Sequence, residues 1–232
     1  ISPLLRRISA SGEKLADKAE LSPTNRYLSW HGIFSPTQRA ALFPGSTISD
    51  RNVLAEDAFC EAMTARKDGA FQERLMHTDR QTWLAEEANM RMDKSSMWAS
   101  VEVRAPFQSH PLVEFAAQLP LSYKLRGGQT KVLLKEAFAD LLPPEVIRRR
   151  KSGFFSPASS WIRGPLLPLV ERLISPTSLE ATHTGAPELV QSMLTAHVNS
   201  SGYYLNQIWA LLSYQIWHYT YILGDDSILE ST

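Results

Sequence analysis

Residues 203–223 read YYLNQIWALLSYQIWHYTYIL. Leu205, Ile208, Trp209, Leu212 and Ile216 recur at steps of three and four, the spacing of one face of an α-helix. It is the longest and most apolar periodic stretch in the chain, so it is expected to be a helix in the core.

Working outward, the same period dominates. In SPTQRAALF (35–43), Ser35 reads as an N-cap, Pro36 as the first helical residue and Gln38 as the closing member of a capping box. In HPLVEFAAQL (110–119), Pro111 takes the first-turn role, and Leu112, Phe115, Ala116 and Leu119 fall on one face. In TKVLLKEAFADLLPP (130–144), Thr130 reads as the cap and Leu133, Leu134, Ala137, Phe138 and Leu141 as the apolar face. Pro143 and Pro144 read as the stop. Strand signals are scarce. SVEVRAPF (100–107) alternates over Val101 to Ala105, but Pro106 cuts it short. Without alternating strand and helix units, this chain is expected to be mainly α. Loops are expected at Leu125–Gln129, Arg148–Ser160 and Ser175–Glu188, where Pro, Gly, Ser and Thr collect. Residues 1–25 are polar and weakly periodic and read as a loosely ordered or linker segment.

Bulk properties narrow the classes. The 232 residues are 44% hydrophobic and 21% charged, with a formal net charge of zero. These are globular values, and they do not favour nucleic acid as a partner. The basic run RRRKSG (148–153) is short and suits anion handling better, because Gly153 lets a backbone approach closely. No apolar stretch is long enough to span a membrane, and the start does not resemble a signal peptide. The single cysteine, Cys60, excludes an internal disulfide and fits a reducing, cytoplasmic setting. The histidines lack metal-ligand spacing, and no Walker or Rossmann glycine loop is found. The chain opens on Ile1 in mid-pattern, as a fragment of a longer protein would.

Two patterns carry chemistry. Met76, Trp83, Met90 and Met97 recur by sevens, and so do Asp79, Glu86 and Asp93 beside them. This acidic row is either the solvated edge of an amphipathic helix or, at Asp93, a group facing a metal or phosphate. Asp93, Glu102, Arg104 and Lys151 form the second set. Carboxylates there could hold magnesium or move a proton, and a lysine could stabilise charge at an acyl-phosphate centre. The alternative is that Glu102 and Arg104, on one face of a short extended segment, merely pair with neighbours.

Taken in order, several stretches resemble the C-terminal part of the synthetase domain of glutamine-hydrolysing asparagine synthetases. DRQTWLAEEANMRMDKSSM (79–97) is similar to the family's Asp-x-x-Thr-x-Leu helix and its Asp-Arg/Lys-x-Ser-Met turn. SVEVRAPF is similar to its Glu-x-Arg-x-Pro-Phe signature. The stretches 112–154, SPASSWIRGPL (156–166) and NQIWALLSYQIWHY (206–219) continue the match over about residues 25 to 222. The resemblance implies the helical C-terminal half of an adenine-nucleotide α-hydrolase-like (PP-loop ATPase) α/β domain, occupying residues 26–232. It also implies an ATP-dependent ligase that adenylates a carboxylate, aspartate first among candidates, and joins it to glutamine-derived ammonia. ATP and Mg2+ would be required. Asp93 would face the metal and pyrophosphate. Glu102 would orient the amine and serve in proton transfer, Arg104 would support that wall, and Lys151 would stabilise the adenylation transition state. Lys131 and Lys135 match basic positions of the family pattern, although TKVLLKEA also reads as an ordinary helix, and Lys131 and Gly153 are the expected contacts to substrate or pyrophosphate.

This sequence departs from the family pattern in places. The Ser-Gly-Gly-x-Asp-Ser loop and the N-terminal cysteine nucleophile are not in it, so ATP binding and glutamine hydrolysis would need a glutaminase domain and loop from the same parent chain or another. A homodimer is compatible with such an assembly. The family's Phe-Leu-Asp is Phe107-Gln108-Ser109 here, which leaves the acceptor carboxylate open. An amidotransferase of exopolysaccharide or peptide natural-product biosynthesis is the rival enzyme, and a non-catalytic helical partner-binding module the rival of another class. β-Lactam synthetases carry a tyrosine where Met90 stands, against that branch.

Overall fold

The structure, a computed structural model, describes residues 21–45, 59–65, 69–149, 156–225 and 227–229. It is mainly helical. The helices with both ends described are α1 (Pro23–His31), α2 (Pro36–Leu42), α3 (Phe71–Gln81), α4 (Met90–Trp98), α5 (His110–Gln118), α6 (Leu121–Lys124) and α7 (Val132–Ala137). They continue as α8 (Pro144–Arg148), α9 (Ala158–Arg163), α10 (Leu167–Leu173), α11 (Pro176–Ala181), α12 (Pro187–Val198) and α13 (Leu205–Trp217). Among the described residues the strands are β1 (Leu125–Arg126) and β2 (Gln129–Thr130), antiparallel with Leu125 opposite Thr130. Gly127 and Gly128 both have positive φ, which a two-residue hairpin turn of this hand requires. The described residues up to 54 and from 154 onward form one unit, and those from 55 to 153 form another.

The first unit is built on α13. Its spacing makes it a helix, as expected, and it runs on as a π-helical segment, His218–Leu223. The buried face is Ile208, Leu211, Leu212 and Gln215. Trp209 and Ile216 instead stay 44% and 37% exposed. Ile208, Leu211 and Leu212 share one core with Leu42, Ile162, Val170, Leu173, Ile174, Leu179, Val190 and Leu194. α2 enters this core through Leu42. Its capping box forms as read: Gln38 N–H donates to Ser35 Oγ at 3.2 Å and Ser35 N–H to Gln38 Oε1 at 2.9 Å. Gly185 N–H donates to Leu42 O at 2.7 Å, and a Cβ there would stand 2.5 Å from Ala41 O, so only glycine permits this approach.

The 175–188 stretch is a helix as well as a loop. Ser175 Oγ accepts Ser178 N–H at 3.2 Å, and Pro176 opens α11, the same Ser-Pro start signal seen at Ser35. α9 likewise begins inside the expected 148–160 loop. The α1 helix begins at Pro23, inside the 1–25 segment read as loosely ordered; residues 1–20 lie outside the described residues.

The second unit holds the candidate site. α3 gives way at Thr82 (φ −116°, ψ −83°) to a π-helical segment, Trp83–Asn89, and α4 follows. A π-turn winds more residues per turn, so a seven-residue row does not stay on one face through it. Trp83, Met90 and Met97 are accordingly exposed rather than stacked into a core. Two boundaries also correct the reading. Thr130 belongs to β2, and the residue ahead of α7 is Lys131, in a left-handed conformation (φ 57°, ψ 38°). Pro143 and Pro144 do not stop α7, which ends at Ala137; Pro144 opens α8. No described helix is long and apolar enough to cross a membrane.

Candidate functional site

Asp93 sits in the first turn of α4, so the expected Asp-Lys-x-Ser-Met turn is helical instead. The helix ends in a Schellman closure. Ser100 takes the left-handed conformation (φ 57°), its N–H donates to Met97 O at 2.9 Å, and Val101 N–H donates to Ser96 O at 3.0 Å. This reversal sends Val101 to Ala105 off as an extended, unladdered segment, because Pro106 lacks the donor a strand would use and starts a single 3-10 turn, Pro106–Gln108. Gln108 N–H donates to Ala105 O at 2.9 Å and fixes that turn.

A cleft of about 520 Å³ lies between these pieces, lined by Asn89, Met92, Asp93, Val103, Arg104, Ala105, Pro106, Gln108 and Ser109. Asp93 and Arg104 therefore both line one space, with the Arg104 guanidinium turned to Glu102. Glu102 lies outside the lining but is bound to it: Arg104 Nε donates to Glu102 Oε1 at 2.8 Å. The simple pairing read from the alternating segment is thus realised. Both side chains are mostly solvated, so this pair contributes little, about 0–1 kcal/mol, and Arg104 can turn to an anion in the cleft at small cost.

Of the remaining expected residues, Lys131 is exposed ahead of α7 and does not line the cleft. Lys151 and Gly153 lie outside the described residues. Asn89 was not legible as a site residue. It carries no charge and marks no assigned position of the 79–97 stretch, and only the fold brings Gln108 to it. Gln108 and Ser109 were visible only as departures from a pattern.

Among the described residues no group of three His, Cys, Asp or Glu could hold a metal ion alone. That donor set still fits magnesium of one kind. Magnesium keeps several waters and is commonly held by one or two carboxylates together with substrate phosphates. Asp93 could supply one carboxylate and Arg104 a partner for phosphate oxygens, which would suit a magnesium–polyphosphate rather than a free cation.

Comparison with known proteins gives the family. The family description "Asparagine synthase" matches residues 6–219. A Mycobacterium tuberculosis protein, provisionally named a glutamine-hydrolyzing asparagine synthetase, is 28% identical over 218 residues, 91% of this chain and 32% of its own length. Bacillus subtilis asparagine synthetase [glutamine-hydrolyzing] 1 is 28% identical over 146 residues, 62% of this chain and 23% of its own. An amidase of Gibberella zeae is 30% identical over 94 residues, 38% of this chain and 14% of its own. No solved structure matches at a significant level. The chain belongs to the asparagine synthase family, and it spans a third or less of the length of the curated synthetases it matches.

Proposed function

We propose that this chain is the C-terminal helical part of an ATP-dependent, amide-forming ligase that activates a carboxylate by adenylation and joins it to glutamine-derived ammonia. The observation that carries this is the convergence of Asp93 and Arg104 on one cleft in a member of this family. Magnesium, when bound, would screen polyphosphate charge and make pyrophosphate a better leaving group. Asp93 would hold that ion, and Arg104 would bind phosphate oxygens in its two-pronged geometry. Glu102, released from Arg104 as the guanidinium turns inward, would orient the amine and accept its proton. Lys151 would stabilise charge in the adenylation transition state, and Lys131 and Gly153 would contact substrate or pyrophosphate.

The acceptor is best read as aspartate or a close carboxylate. Ser109 on the cleft, where the family pattern has an acid, favours keeping a carboxylate of exopolysaccharide or peptide natural-product biosynthesis as the second reading. The test is pyrophosphate release by the intact protein carrying this sequence, across candidate acids, with and without glutamine. Glu102→Ala or Lys151→Ala is expected to abolish product formation while the protein stays folded. Near-normal turnover by both variants overturns the assignment.

A further inference from the structure

The cleft has a feature that the proposed chemistry does not use. Asn89 Nδ2 donates to Gln108 Oε1 at 2.9 Å, and Gln108 Nε2 donates to Asn89 Oδ1 at 2.9 Å. The two side-chain amides thus close a reciprocal ring across nineteen residues of sequence, and both are half-buried. Each amide presents one donor and one acceptor to the other, so the ring forms only when both walls hold one spacing and one tilt.

The pair sits where it ties the two charged walls together. Asn89 lies four residues before Asp93, on the same face of the helical run one turn away. Gln108 lies four residues after Arg104, at the end of the 3-10 turn that closes the extended segment. That segment has little else to hold it. Glu102 and Arg104 are exposed, and their pairing is with each other rather than across the cleft. Among the described residues, the hydrogen bonds crossing the cleft are those of the Asn89–Gln108 ring.

We propose that Asn89 and Gln108 are positioning residues: a neutral amide clamp that fixes the distance between the Asp93 helix and the Arg104 segment. They would act through those two groups and not touch the reacting atoms. A neutral clamp suits this place, because a charged link would compete with Asp93 for the metal or with Arg104 for phosphate. The inference rests on the ligase reading of the same cleft.

The experiment uses the intact protein and pyrophosphate release with saturating acid and varied ATP. Variants are Gln108→Leu, Asn89→Leu and the exchanged pair Asn89→Gln/Gln108→Asn, which keeps both amides and the combined side-chain length. Each is assayed at a temperature where its melting curve shows it folded. Each leucine variant is expected to raise KM for ATP about tenfold, the scale set by leaving one half-buried amide unpartnered, with a smaller change in KM for the acid. The exchanged pair is expected to return KM for ATP to within about twofold of the parent, which restored pairing predicts and generic destabilisation does not. Unchanged KM for ATP in both leucine variants, or an exchanged pair no better than the single variants, overturns the clamp while leaving the ligase reading intact. A parent protein that releases no pyrophosphate with any acid overturns the ligase reading and the clamp with it.

Discussion

The two units invest their residues differently. The unit built on α13 has a continuous core with one closed polar network around Gln215, while Arg172 Nε and His218 Nδ1 are buried there without a hydrogen-bond partner among the described residues. Gln215, fully buried, donates to Thr182 Oγ1 at 2.9 Å and to Thr184 Oγ1 at 3.3 Å, and Ser178 Oγ donates to Gln215 Oε1 at 3.4 Å. The unit carrying the cleft buries few described side chains: Phe59, Met63, Thr78 and Val132. It leaves Trp98, Phe107, Phe115 and Leu141 open to solvent. A satisfied polar network inside a dense core fixes one arrangement. Short helices, a π-segment and an unladdered extended stretch leave backbone groups and charges facing a cleft. The first unit therefore has a dense core, whereas the second leaves a cleft with charged lining, spanned by the Asn89–Gln108 ring over a thin core.

The largest effect expected from this contrast lies in the first unit. Leu211 is almost fully buried in the α13 core. Leu211→Ala removes buried methyl groups and leaves a cavity, so it should destabilise by about 2–5 kcal/mol. Urea-midpoint shifts at constant m-value would measure this. A loss below about 1 kcal/mol would mean the core collapses around the gap and is no denser than the other unit.

A smaller, conditional effect is expected at His197. Its ring is buried between α9 and α12, with Tyr203 edge-on at 5.7 Å between centroids. Nδ1 accepts Tyr204 N–H at 3.1 Å, so the proton resides on Nε2 and is donated to Ser159 Oγ at 3.2 Å. Arg163 Nε donates to the His197 carbonyl at 2.8 Å. Burial first, and the nearby Arg163 charge second, hold the imidazole below its ordinary value of 6.5. The unfolded chain therefore takes up a proton before the folded one does. The His197 contribution is complete above pH 6.5 and is lost as pH falls through the lower folded value. Thermal midpoints measured between about pH 5 and 8 should drop on the acid side. His197→Gln, which keeps a donor and an acceptor, should flatten that slope. An unchanged slope in the variant would assign the acid sensitivity elsewhere.

How much of this was legible in the sequence follows the same division. α13, the capping box at Ser35 and the mainly helical class were visible because each depends on local spacing and chain chemistry. The face that α13 buries was not. Leu211 and Gln215 replace Trp209 and Ile216 in the core because neighbouring helices, not the helix itself, choose the buried side. Around the cleft, Asp93 and Arg104 stood out as charged residues in motifs, whereas Asn89 did not, since a lone amide gains meaning only when the fold brings another to it. The π-segment was hidden as well, because its residues read as ordinary helix formers and its wider turn is imposed by context.

The smallest effect is expected at Trp98, at the end of α4, which is 93% exposed. Removing a side chain with almost no buried area gives up almost no transfer free energy, so Trp98→Ala should change stability by less than about 0.5 kcal/mol. The same large-to-small change that is costly at Leu211 should thus be nearly silent here. The two residues differ in what surrounds them, not in being apolar. Denaturant midpoints of the two variants, measured side by side in the same protein, make the test. A Trp98→Ala loss above about 1 kcal/mol, or one that grows with protein concentration, would show that this face is covered in solution. The cleft-bearing unit would then draw stability from a contact outside its own small core, and its contrast with the α13 unit would be one of where the core is completed rather than of how dense it is.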